Sequence, residues 1–557
     1  MKAKTALVSL CGLIPTPVMG FGADDASRPS PPPEARAGER AIRDEGAVKA
    51  GEDQVLLPAL HGVALAATAD AALDLQQETR AGIRLAGIPE PGSIKIQEVV
   101  GRYLGQPVSL RTLERLSEEL ETAFRMPGET FMQVSYPEQE ITSGVIAIRV
   151  CPARAGQVLL SGKPAFGAKF AAEGFRTRSG EAISADVIAG DLDWLNENPL
   201  RRASISCRDG SAPDLLDLTI QVRAAKTWRA YGGIDNQLSA QLGDERLFLG
   251  FQHGDLFSLD HRLTAQFTSA LDTKSLHGVS GVYEIPLLPW RHLLELSAGY
   301  TESESAADGP LDQSGRFSRM ALGYRVPLPR WGGIRQEWRM GMEFRNNDYQ
   351  FSNGSSEVVN FFQIESGWKG RLADRMGVTR VDLSLHYSPG QGILGSDDKD
   401  FIALGADGAE SWIARLEGER TLKVGGMGTL AGRVQAQWAD SDLLSSDQIS
   451  AGGVNRVRGF DEAVGYASRG VIGSIELQSP AFKTDQAGEF QGICFVDAAL
   501  LHRDHAVDAG ELASAGVGLR WRFEDRLTAR CDLGIPIEGP DSETGNPLLH
   551  FSISTSW

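Results

Sequence analysis

The sequence predicts two small α+β modules followed by an all-β transmembrane barrel of about sixteen antiparallel strands. Three observations predict it. The N-terminus reads as an export leader. Residues up to about 224 mix helical and strand periodicity, and from Lys226 onward apolar and polar residues alternate as far as the final Trp557.

The bulk properties narrow the classes. At 557 residues the chain is too long for a single core. It holds no run of eighteen or more apolar residues, so a helical membrane span is not expected. A formal net charge of −18 argues against a nucleic-acid partner, which would need a concentrated basic face.

Residues 1–23 carry the marks of a signal peptide. Lys2 and Lys4 precede a short apolar stretch from Thr5 to Ile14, and Pro15, Pro17, Gly20, Gly22 and Ala23 follow. Cys11 lies behind Leu10, where a lipidation site would want a small residue. Residues 24–54, with Pro29, Pro31, Pro32 and Pro33, read as a flexible segment unable to bury a core, and Glu39 to Lys49 is its sole helical candidate. The cysteines beyond the leader, Cys151, Cys207, Cys494 and Cys531, form no CxxC or Cys/His cluster. Their spacing supports no zinc site and demands no disulfide.

The first module is expected over 55–153. Ser109 caps a helix carrying Leu110, Leu113, Leu116, Leu120 and Phe124, and Pro127-Gly128 closes it. Ile146, Ile148 and Val150 then alternate as in a strand with one buried face. The second module is expected over 154–224. Ser184 starts a helix through Val187, Ile188, Leu192 and Leu195, which Pro199 stops. Two strands follow, one marked by Ala203, Ile205 and Cys207 and the other by Leu216, Leu218, Ile220 and Val222.

The barrel is expected over 225–557. Ala515, Val517, Leu519, Trp521 and Phe523 face one way, and Gly516, Gly518, Arg520 and Arg522 the other. The same parity sets Leu527, Ala529, Cys531, Leu533 and Ile535 against Thr528, Arg530, Asp532 and Gly534. A soluble sandwich also alternates. The leader, the length of helix-free alternation and the aromatic terminus favour a barrel whose apolar residues face lipid and whose polar residues face a wet lumen. Closure leaves no unpaired edge in the hydrocarbon. Cys494 and Cys531 fall on the lipid face.

The segment Gly452-Gly453-Val454-Asn455-Arg456-Val457-Arg458-Gly459-Phe460-Asp461-Glu462 resembles the signature of the barrel-assembly and two-partner-secretion transporter superfamily. Phe495-Val496-Asp497-Ala498-Ala499 resembles that family's Phe-x-Asp-x-Gly strand, with Ala499 in place of the glycine. The resemblance implies an in-folded loop over 441–468 whose motif is Val457, Arg458, Gly459 and Phe460. It also implies that Arg458 reaches Phe495 and Asp497 on the wall, and strand parity adds Glu476. Leu104 to Ser109 and Val134 to Ile141 resemble a first POTRA domain, and Asp193 to Arg201 a second. Tyr231-Gly232-Gly233-Ile234-Asp235-Asn236 resembles the start of the family's barrel. Pro137, Gln139, Trp194, Asn196 and Pro199 are then the expected partner-binding residues.

Two POTRA-like units and this length favour the secretion branch, the TpsB transporters. The resemblance implies an outer-membrane protein that captures one large unfolded exoprotein, of adhesin or cytolysin type, and passes it through its barrel. Outer-membrane lipid and the barrel-assembly machinery would be further partners, a monomer is expected, and no cofactor is implied. A barrel insertase shares the loop motif and is the alternative. Catalysis finds no support: the nine histidines do not cluster, and neither Gly-x-Ser-x-Gly nor His-Glu-x-x-His occurs. His261 and His292 read as strand-end residues. Gly162 to Gly167 is followed by Ala168-Lys169, so it is no phosphate loop.

Overall fold

The computed structural model describes residues 55–557 except 79–80, 88–92, 124–130, 163–172, 213, 224–225, 239–241, 289, 305–312, 352–355, 391–393, 503–509, 525 and 542. The expected leader, the segment 24–54 with its helical candidate, Phe124, Pro127-Gly128 and most of the Gly162 to Gly167 stretch lie outside the described residues. The chain divides into two compact units, with the boundary at Lys226.

Among the described residues the smaller unit holds two larger sheets and a two-stranded one, Val55–Leu57 against Val108–Ser109. The first runs in the order Gly82–Ala86, Gly62–Ala66, Val145–Pro152, Met132–Ser135, and its first two pairings are parallel. Helices α1 (Ala69–Gln77), α2 (Ser93–Gly101) and α3 (Leu110–Ala123) pack on it. The Ser109 hydroxyl accepts from Thr112 N–H at 3.3 Å, so it caps α3. Leu116 and Leu120 join Ile146, Ile148 and Val150 in one core.

One expectation needs correcting here. Val145–Pro152 buries both faces, not one. Ala147 packs with Ala66 and Ala72 of the α1 side, while the isoleucines meet the α2 and α3 side. The strand is central in its sheet, with helices over both faces, and the residues alternating with the isoleucines, Val145, Ala147, Arg149 and Cys151, are too mixed to mark the second buried face by periodicity.

The second sheet runs Arg154–Gly162, Leu215–Arg223, Arg202–Asp209. Ser184 caps α4 (Ala185–Leu195), accepting from Val187 N–H at 3.4 Å. Asp191 of α4 is buried and receives both Arg176 N–H and Arg176 Nε at 2.8 Å. Cys151, Cys494 and Cys531 are free thiols.

The larger unit is a closed antiparallel barrel of sixteen strands, counting Arg469–Gln478 and its short continuation Phe482–Thr484 as the twelfth. The first strand, Trp228–Asp235, closes on the sixteenth, Leu548–Ser556. No helix among the described residues is long and apolar enough to cross a membrane, whereas the strands present lipid-like faces. Val279, Met320, Ile475, Val496, Leu500 and Val517 all point outward and are exposed. Cys494 and Cys531 lie on this same outer face.

Turns are short at the end where the chain joins the barrel and loops are longest at the other end, over 389–410 and 439–469. Around the short-turn end runs a ring of large side chains, Phe257, Trp290, Trp331, Met376, Met427, Phe482 and Trp557, each 56–76 % exposed. Aromatic residues favour the level where hydrocarbon meets headgroup, so the ring marks one membrane boundary. His261 and His292 begin the third and fifth strands, His261–Ala270 and His292–Glu304, and share hydrogen bonds with Tyr283 and Tyr324 near this boundary.

Candidate functional site

The longest excursion of the barrel chain, between the eleventh strand (Thr429–Ala439) and the twelfth, folds into the lumen. A short hairpin, Ile449–Ala451 against Gly465–Ala467, stiffens it and carries the motif at its tip. Val457 and Phe460 are fully buried with Ala451, Ala467, Ile472, Ala499, Leu501 and Leu512. On the other side of the lumen Ala463 and Tyr466 pack against Leu238, Leu242, Ala270 and Leu276. The loop therefore touches widely separated parts of the wall.

Arg458 is the centre of this docking. Its Nε and Nη2 donate to the two oxygens of Asp497 at 2.8 and 2.9 Å, a bidentate pairing. Its own backbone N–H adds a third bond to Asp497 at 3.1 Å. Nη1 reaches Glu476 at 2.7 Å, and Nη2 also reaches Ser474 at 3.3 Å. The guanidinium lies flat enough over the Phe495 ring to sit 3.5 Å from its centroid. Gln478 donates to the free oxygen of Glu476 at 2.8 Å and fixes that carboxylate. Strand parity brings these wall residues together. Phe495 and Asp497 point inward from the thirteenth strand (Gly488–His502) and Glu476 from the twelfth, in adjacent register.

Gly459 explains why the motif needs glycine. Its φ is +93°, and a Cβ there would stand 2.8 Å from the backbone of Gly534 on the fifteenth strand, Leu527–Glu538. Two backbones meet without side chains between them, and Gly459 N–H donates to His550 Nε2 at 3.0 Å. Beside them Arg520 and Arg530 both bind the buried Asp532, and Arg530 Nη2 donates to the loop carbonyl of Val454 at 2.9 Å. Sequence reasoning did not single out Gly534, His550, Ser474 or Arg530 as loop partners. Inward parity was their visible signal, but only closure of the barrel shows which inward residues meet the loop. Among the described residues no group of three His, Cys, Asp or Glu side chains is placed to hold a metal ion.

The POTRA positions behave differently. Gln139 spends its amide within the module: it exchanges bonds with Ala147 N–H and C=O at 2.7 Å each and accepts from Gln76 at 2.9 Å. Asn196 does the same with Ala203, at 2.7 and 3.0 Å. Each side chain imitates a peptide unit beside a strand. Trp194 is buried, Pro137 half-buried and Pro199 exposed. Gln139 and Asn196 thus brace their own modules, and of the five only Pro199 is exposed.

The sequence profile of haemolysin secretion/activation proteins ShlB/FhaC/HecB matches residues 216–521, and that of the ShlB-type POTRA domain matches residues 80–153. The chain belongs to the ShlB/FhaC/HecB family. Outer membrane transporter CdiB-2 of Burkholderia pseudomallei is 23 % identical over 401 residues, 69 % of this chain and 67 % of the relative. CdiB of Dickeya dadantii is 21 % identical over 462 residues, 79 % of each chain. The heme/hemopexin transporter protein HuxB of Haemophilus influenzae is 25 % identical over 164 residues, 29 % of each. The solved structure of CdiB from Escherichia coli shares the fold, with a TM-score of 0.69 at 16 % identity over 94 % of this chain and 95 % of that one. BamA from Haemophilus ducreyi lacking POTRA domains 1–3 shares it more loosely, with a TM-score of 0.51 at 13 % identity over 84 % of this chain and 98 % of that one. The protein is an outer-membrane transporter of the two-partner secretion class, with its POTRA region in the periplasm.

Proposed function

We propose that the POTRA region takes hold of one unfolded exoprotein by its backbone, and that the exoprotein then crosses the barrel past the in-folded loop. The single observation that supports this best is the clamp of Arg458 on Asp497 and Glu476, which ties the tip of the in-folded loop to the wall. A loop anchored this way is a discrete, releasable obstacle. Removing one partner of a buried pair costs roughly 3–5 kcal/mol, so the docked and undocked states are sharply separated.

Capture belongs to the edges of the POTRA sheets rather than to the side chains of Gln139 or Asn196. The edge strands Gly82–Ala86 and Arg154–Gly162 carry exposed Leu85, Leu159 and Leu160. An extended client can add to such an edge through main-chain bonds and seat alternate apolar side chains beside it. That mode reads extended conformation more than sequence and suits a long client of adhesin or cytolysin type. The exoprotein, the surrounding lipid and the assembly machinery that inserts the barrel make up the partners, and the transporter works as a monomer. Its work is conduction and holding, not catalysis.

The test removes the capture surface. A variant lacking residues 60–153 is expected to insert in the outer membrane yet secrete the exoprotein at a small fraction of the wild-type amount. Undiminished secretion would overturn capture by this module.

A further inference from the structure

The stem of the in-folded loop is held as firmly as its tip, by residues outside both motifs. Asp447 is buried, and its carboxylate receives Arg345 Nη2 at 2.6 Å from the seventh barrel strand, Ile334–Phe351. Its carbonyl oxygen accepts from Gln437 Nε2 at 2.8 Å on the eleventh strand and from Arg415 Nη2 at 3.2 Å on the tenth, Glu410–Lys423. Three strands therefore grip one loop residue. Arg345 is fixed in turn: its Nε lies 2.9 Å from Glu343, and its guanidinium sits 4.2 Å from the Phe361 ring. Directly beside this pair, Leu444 of the stem packs with Val359, Phe361 and Phe401, the last from the short helix α5 (Asp398–Ala403) of the neighbouring loop.

The placement of the two anchors around the ring is what matters. Gly459 at the tip rests on the fifteenth strand, and Arg345 stands on the seventh, eight strands away in a closed ring of sixteen. The loop is tied at two points on opposite walls. A segment fixed at one end sweeps a large volume, whereas one fixed at both ends becomes a bar across the lumen. The two ties also differ in how they break. Freeing the tip strips a fully buried Asp497 of three bonds from Arg458. Freeing the stem leaves Arg345 beside Glu343, which its Nε already meets at 2.9 Å.

We propose that Asp447 and Arg345 are positioning residues of transport: they hold the loop's stem on the seventh strand, opposite the Gly459 contact on the fifteenth and apart from the Arg458 clamp on the twelfth and thirteenth, and their release is the step that first opens the lumen. This rests on the reading that the exoprotein passes through the barrel. The test is the ion conductance of the purified full-length protein in planar lipid bilayers, which needs no exoprotein and so separates failure of the stem tie from failure of that reading.

Asp447→Asn is expected to raise the open fraction by about tenfold, as loss of one charged hydrogen bond implies. Asp447→Glu is expected to restore wild-type conductance, while the melting temperature in detergent stays the same for all three proteins. Asp447→Asn conducting like the wild type would overturn the proposal, as would a conductance change that Asp447→Glu does not reverse. Should Asp447→Asn fail to accumulate in the outer membrane, Gln437→Ala is measured instead, since it loosens the carbonyl but keeps the charge pair. A raised open fraction supports the stem tie, and wild-type conductance contradicts it.

Discussion

Gly459 is the residue at which backbone geometry rather than charge sets the docking of the loop. A positive φ and a backbone neighbour at 2.8 Å leave no room for a Cβ. Gly459→Ala is expected to destabilise the docked loop by about 1–3 kcal/mol, through strain and the displaced Gly534 contact. Limited proteolysis of the purified barrel checks it: the variant's loop should be cut faster, and an unchanged cutting rate would refute the contact's importance. Arg458, Asp497 and Glu476 were legible beforehand because a short motif names the first two and strand parity points the third inward. Gly534 and His550 were not, because they come within reach of Gly459 only when the last strands close the ring, far along the chain from the loop. The structural roles of Gln139 and Asn196 were hidden for a related reason. An amide in a family motif invites a binding role, yet here each completes a strand edge inside its own domain.

The helices of the POTRA region follow their caps, and Ser109 and Ser184 stand where α3 and α4 begin. The strand Val145–Pro152 was legible in position but not in its surroundings, since Ala147 and Arg149 interrupt the apolar signal on its reverse face. That double coverage has a chemical consequence at Cys151, near the strand's end. Burial pushes its thiol above the ordinary range. The thiolate, which is the reactive form, is therefore scarcer than for an exposed cysteine at any pH below the raised value. Native protein is expected to resist a maleimide at Cys151 across neutral pH, with labelling appearing as the pH rises well into the alkaline range or on unfolding. Rapid labelling of native protein at neutral pH, read by mass spectrometry of the Cys151 peptide, would contradict the two-faced burial.

Over the whole molecule, long alternation together with the leader and the aromatic terminus carried the barrel, because lipid outside and water inside impose opposite demands on successive residues of every strand. It could not carry the route of the long loop, which depends on charges meeting across the lumen. In the proposed mechanism this loop is a releasable obstacle clamped by Arg458, and transport works through the clamp. The most direct measurement is secretion of the exoprotein by cells carrying wild type or Arg458→Ala, with barrel levels compared in outer-membrane fractions. Secretion is expected to fall to a small fraction while the barrel inserts at the wild-type level. Undiminished secretion from a normally inserted Arg458→Ala barrel would contradict it.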